Sequence, residues 1–109
     1  MIGGHQVIDF HGHVGRWDAF AMGDDPAPML RAMDAGGIDR SCLFNIFHPD
    51  GRDGNDQTAA FVAQHPDRFV GFAYASPMMP ETLGPELERA IDELSFKAIK
   101  IYSPYTPYS

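Results

Sequence analysis

At 109 residues with 44% hydrophobic content, the chain has enough apolar material for one compact domain with a modest core, which excludes separate cofactor and substrate domains. Eight Lys and Arg against fifteen Asp and Glu give a net charge of −7, which repels a phosphate backbone or an anionic bilayer surface and argues against nucleic acid and membrane as partners. The lone Cys42 cannot form an intramolecular disulfide, no apolar run approaches the roughly 20 residues of a membrane span, and the opening MIGGHQVIDF has no secretory pattern, so a reduced, soluble, cytoplasmic protein is expected.

In chain order, short β-rich runs alternate with longer amphipathic ones, the pattern of βα units on a parallel sheet. A first strand is predicted at about Gln6 to His11, where Val7, Ile8 and Phe10 surround Asp9 and lead into a Gly-containing loop. Asp25 and Pro26 offer the cap and first position of a helix that runs through Met29, Leu30 and Met33 and stops at Gly36-Gly37. The second strand, about Arg40 to Ile46, is nearly all apolar, as a strand covered on both faces would be. Asn55 or Asp56 caps a second predicted helix carrying Ala59, Phe61 and Val62, which ends at His65 because Pro66 cannot continue it. A third strand follows at about Phe69 to Ala75.

The third helix has the clearest period. Leu83, Leu87, Ile91 and Leu94 line one face, with Glu86, Glu88, Arg89, Asp92 and Glu93 largely on the other, and Gly84-Pro85 starts or kinks it. A fourth strand is expected at about Lys97 to Tyr102, and the closing SPYTPYS reads as a loop. The expectation is four strands and three helices at βα-unit spacing.

Chemistry concentrates in VIDFHGHVG. Period-two alternation groups Val7, Asp9, His11 and His13 on one face and Ile8 and Phe10 on the other. Two imidazoles then converge at the C-terminal end of a strand, where α/β barrels assemble their sites, and Gly12 lets a ligand or backbone come close. That spacing suits one divalent ion such as zinc, with Asp9 supporting a ligand or serving as a structural hydrogen-bond acceptor, although two surface or hydrogen-bonded histidines would look the same. A catalytic zinc site takes three protein ligands, so others must come from elsewhere.

Arg16 and Trp17 follow directly, and an Arg fork over an aromatic wall suits a carboxylated ring; a surface cation and a core-edge aromatic are the plainer readings. His48, in FHPDG, either lines a pocket or stabilises a turn with Asp50 and Gly51. Tyr102 could face substrate or belong to the tail. His65 reads as a helix-end residue, His5 as solvated, and Cys42 as a buried inert thiol. Dinucleotide, phosphate-loop, serine-hydrolase and thiol-redox motifs are missing from the sequence.

Taken together, VIDFHGHVG, MDAGGIDRSCLF, FVAQHPDRFVGFAYASP and ELERAIDELSFKAIKIY resemble the N-terminal part of the amidohydrolase-related family of metal-dependent hydrolases. The likeness runs over nearly the whole chain. It implies a (β/α)₈ TIM barrel, of which 109 residues supply about the first half in a single domain, apparently truncated after the fourth strand. By position, His11 and His13 match the family's first-strand metal ligands, while its later-strand histidines and aspartate base have no counterpart here. Lys100 matches either the strand-four lysine that is carbamylated in binuclear members or, the favoured reading, an ordinary barrel-interior or substrate-binding lysine. The implied cofactor is a divalent metal, with zinc expected.

Three readings follow. The first is the N-terminal part of a hydrolase acting on a small carboxylated or cyclic substrate through metal-activated water, or of a nonoxidative decarboxylase of the same family. The second is a noncatalytic half-barrel that self-associates, two copies closing as a homodimer, because an uncovered sheet face and open edges drive pairing. The third is a small doubly wound domain that resembles the family only locally.

Overall fold

A computed structural model describes residues 1–15, 23–46, 48, 50–75 and 80–101. Arg16, Trp17 and Tyr102 lie outside them. The elements run β1 (Ile8–His13), α1 (Ala27–Gly36), β2 (Arg40–Phe44), α2 (Gly51–Gln64), β3 (Phe69–Tyr74), α3 (Pro80–Asp92) and β4 (Ala98–Lys100). The strands form one parallel sheet in the order β1-β2-β3-β4. This is the first half of a (β/α)₈ barrel, as expected, and the local doubly wound alternative is set aside.

Boundaries shift for identifiable reasons. β1 extends to His13, because pairing with Phe44 carries it through Gly12. α1 ends where Gly37 takes a left-handed φ of 71°, a conformation that costs glycine nothing. α2 starts at Gly51, ahead of the predicted Asn55 or Asp56 cap. Its cap is Asp50, whose carboxylate accepts from the backbone N–H of Arg52 at 2.9 Å and of Asp53 at 3.3 Å. α3 starts at Pro80 and continues through Pro85.

Helices cover one sheet face. Val14, Met33, Leu43, Phe61 and Phe69 form the cluster under α1 and α2, and Ala73, Ala90 and Phe96 the one under α3. The period of α3 misassigns its face: Glu86 and Ala90 are buried, whereas Ile91 is 48% exposed. On the opposite, inner face, Phe44, Ile46 and Tyr74 cluster with Phe72.

At the N-terminal strand ends the chain is pinned by charge. The Asp39 carboxylate accepts from the Val7 N–H at 2.7 Å and from the N-terminal ammonium at 2.9 Å, contacts that hold it below the usual aspartate range. Arg68 donates to the carbonyls of Ile38 and Asp39 and pairs with Asp34 at 2.8 Å. Among the described residues no helix is long and apolar enough to cross a membrane.

Candidate metal and substrate site

The strand register slips in β1: Asp9 pairs with Ser41, but the next paired residue is Gly12, with Leu43. Three steps on β1 therefore match two on β2, a bulge that resets the alternation of side chains. Asp9 and Gly12 lie on the helix-covered face. The Ser41 hydroxyl donates to the Asp9 carboxylate at 3.1 Å, and a Cβ at Gly12 would run into Leu43 Cδ2.

Phe10, His11 and His13 are left on the inner face. Phe10 meets Phe72 with ring centroids 6.2 Å apart, and both histidine rings lie 5.1 Å from the ring of Phe44. The expected grouping is corrected accordingly: Asp9 does not share a face with the histidines, and Phe10 does. Asp9 instead accepts from the His11 backbone N–H at 3.0 Å, which holds the bulge in shape.

The two imidazoles stack with centroids 5.0 Å apart and an interplanar angle of 21°. Their Nε2 atoms are 3.0 Å apart. Two Zn–N bonds of about 2.05 Å at a tetrahedral angle would span roughly 3.3 Å, so this spacing fits two ligands of one divalent ion. Among the described residues no group of three or more His, Cys, Asp or Glu side chains is arranged to hold a metal. The pair supplies part of a coordination shell.

Lys100 joins the same surface. Its Nζ lies 4.9 Å from the Phe44 ring centroid, a cation–π contact, so β4 brings an ammonium to the ring on which the β1 histidines rest. Phe44 itself is fully buried. Sequence reading treated it as generic strand material, and its only signal was its position on β2 beside His13. His48 serves the turn into α2: its Nδ1 accepts from the Asp50 N–H at 3.0 Å, and its own N–H donates to Asn45 Oδ1 at 3.2 Å. Cys42 is buried, and loss of solvation pushes its thiol up, with the Asp9 charge adding to the shift.

A second polar cluster lies between α2 and α3, where a pocket of about 350 Å³ is lined by Asp50, Arg52, Ala75, Glu81, Leu83 and Arg89, among others. The size suits a ligand, but the polar groups below it are engaged with one another. Arg89 binds both Glu86 carboxylate oxygens, at 2.8 and 2.9 Å, and Asp56 at 2.8 Å. Asn55 donates to Glu86 at 3.0 Å and takes both backbone groups of Tyr74, the carbonyl at 2.8 Å and the N–H at 2.9 Å. The arrangement ties α2, α3 and the end of β3 together and leaves the histidine pair as the better candidate site.

Known proteins agree with the architecture. The family model for amidohydrolases matches residues 8–108. The decarboxylase orsB of Emericella nidulans is 37% identical over 75 residues, 62% of this chain and 23% of that protein. A dihydroxybenzoic acid decarboxylase from Polaromonas sp. JS666, solved with bound manganese and the inhibitor 2-nitroresorcinol, is 27% identical with a TM-score of 0.62, over 86% of this chain and 37% of its own. The 5-carboxyvanillate decarboxylase of Novosphingobium aromaticivorans, also with manganese, shares the fold at a TM-score of 0.76 and 20% identity, over 92% of this chain and 42% of its own. The chain spans less than half the length of each of these relatives. With nearly all of its residues inside the matched region, the chain belongs to the amidohydrolase family.

Proposed function

We propose that this chain provides the first-strand side of the active site of a metal-dependent decarboxylase for a small aromatic carboxylate, with His11 and His13 as metal ligands. The observation that carries the reading is the pair of Nε2 atoms 3.0 Å apart over Phe44, the ring that also holds the Lys100 ammonium. Similarity to orsB and to the Polaromonas enzyme supports decarboxylation over other reactions of the family. A bound divalent ion supplies Lewis acidity toward a carboxylate or phenolate oxygen.

The chain's own residues do the rest of the binding. Lys100 attracts the carboxylate, while Phe10 and Phe72 give an aromatic ring an apolar wall. Arg16, Trp17 and Tyr102 remain substrate-binding candidates, and His48 is assigned to its turn. Zinc and manganese both suit imidazole, so both belong in the test.

Metal content and titration of the purified chain, beside a His11→Ala/His13→Ala variant, test the ligands. Binding that disappears in the variant is expected; binding that persists overturns the assignment. Release of CO₂ from dihydroxybenzoates, with a proton replacing the carboxylate on the ring carbon, tests the reaction. The family's amidohydrolase description favours hydrolysis as the second reading. Cleavage of esters, lactones or amides without CO₂ release would select it.

A further inference from the structure

The two histidines are held to the sheet in different ways. His13 sits in the ladder, opposite Phe44. His11 sits inside the bulge, where it and Phe10 together oppose the single Cys42. Side chains two residues apart on a regular strand start about 6.6 Å from one another. The Nε2 atoms nevertheless converge to 3.0 Å, with the rings inclined by only 21°. Whatever fixes the bulge therefore fixes His11 relative to His13.

Two polar side chains behind the strand do so. The His11 backbone N–H donates to Asp9 Oδ1 at 3.0 Å, the bond to a residue two positions on that Asp side chains make in turns. The other oxygen, Oδ2, accepts from the Ser41 hydroxyl at 3.1 Å. Ser41 is 2% exposed and lies on a strand paired on both sides, with Asp9 on β1 and Phe69 on β3, so the rest of the sheet holds it in place. Gly12 leaves room for this tether, since a Cβ there would come within 3.4 Å of Ser41 Oγ.

We propose that Ser41 and Asp9 are positioning residues for the metal: acting from the helix-covered face through the His11 backbone N–H, they hold the bulge in the one shape that points both imidazoles at a single ion. The role rests on the ligand assignment proposed above. It differs from a purely structural one, because the His11 N–H is exposed and water replaces Asp9 as its partner when the carboxylate is lost. The fold then keeps its hydrogen bond, and His11 loses its direction.

A copper(II)–iminodiacetate complex is the probe, because its tetragonal ion has positions for two imidazoles and needs no third protein ligand. Titration followed by electron paramagnetic resonance reads both the affinity and the number of coordinated imidazoles, with His11→Ala/His13→Ala giving the background of the other histidines. Wild type should show two imidazoles and His13→Ala one. Ser41→Ala and Asp9→Ala should fall to one, with affinity down by about tenfold or more. Asp9→Asn should keep two, because its amide oxygen still accepts from the His11 N–H. Circular dichroism shows which variants fold, and if one alanine variant does not, the other decides against Asp9→Asn. Two imidazoles at wild-type affinity in a folded alanine variant strikes that residue from the role and leaves the ligand assignment standing. A loss in Asp9→Asn equal to that in Asp9→Ala assigns the effect to charge and overturns the positioning role. Fewer than two imidazoles in wild type overturns the ligand assignment, and the positioning role with it.

Discussion

Two polar clusters sit near the strand ends, and they are built in opposite ways. Between α2 and α3, Glu86, Arg89, Asn55 and the Tyr74 backbone satisfy one another, and Glu86 and Arg89 are only 10% and 12% exposed. At the end of β1, His11 is exposed, and the two histidine Nε2 atoms face each other across a distance that an ion could take over. Burial and a shifted pKa mark functional groups only probabilistically, since structural ion pairs produce both. Here the buried cluster holds the fold, and the more open histidine pair is the better candidate to meet a ligand.

The contrast breaks most visibly at Glu86. Glu86→Ala strands the Arg89 guanidinium with Asp56 and a carbonyl, and should cost about 3 kcal/mol in chemical denaturation. Asn55→Leu, which removes the amide that bonds both Tyr74 backbone groups, should cost about 2 kcal/mol. His11→Ala/His13→Ala should cost no more than about 1 kcal/mol while abolishing metal uptake. A histidine variant as unstable as the Glu86 variant would mean that the pair is structural.

Acid sharpens the same contrast. Burial pushes the Glu86 carboxyl up, but hydrogen bonds from Arg89 and Asn55, with the charges of Arg89 and Arg52, outweigh it and leave the group below the usual glutamate range. A depressed carboxyl contributes stability that is present above its unfolded pKa, near 4.3, and is lost as pH falls through the lower folded value. The wild-type denaturation midpoint should therefore drop below about pH 4.3, and Glu86→Gln should flatten that drop. An unchanged slope in the variant would remove Glu86 as its source.

Gly12 couples the histidine pair to the core packed under the helices. It lies on the helix side of the bulge that turns both histidines inward, and a Cβ there would press on buried Leu43 and approach the Cys42 carbonyl to 3.2 Å. Gly12→Ala should cost about 1–3 kcal/mol and also weaken metal binding, because relief requires β1 to move. Destabilisation with metal affinity unchanged would show that the histidine geometry does not depend on the bulge.

The same bulge explains what was legible in the sequence. Strand and helix existence was readable from apolar runs, Gly36-Gly37 and Pro66, and the H-x-H spacing singled out the histidines. Strict alternation then misplaced Asp9 and Phe10, because one extra residue in a strand leaves no mark in the pattern. The start of α2 was hidden behind Asp50 and Gly51, which read as turn, and Asp50 is recognisable as a cap only once the helix is seen. Glu86 was assigned to the solvent face of α3 because a helical period registers polarity and not the partner that makes burial of a charge tolerable.

Lys100 gives the smallest effect on stability and the most direct reading of the inner face. Its contact with Phe44 is worth roughly 0.5–1 kcal/mol, so Lys100→Met, which keeps the apolar stem, should scarcely move the denaturation midpoint. If the ammonium serves a carboxylate, the same variant should weaken binding of a dihydroxybenzoate to the metal-loaded protein, and Lys100→Arg should restore part of it because the positive charge returns. Calorimetric titration at two salt concentrations separates charge from packing: a Coulombic anchor loses strength as salt rises, and the Met variant should lose that dependence. If binding to the Met variant matches wild type at low salt, Lys100 is only a lid on Phe44, and the carboxylate must be held from another strand.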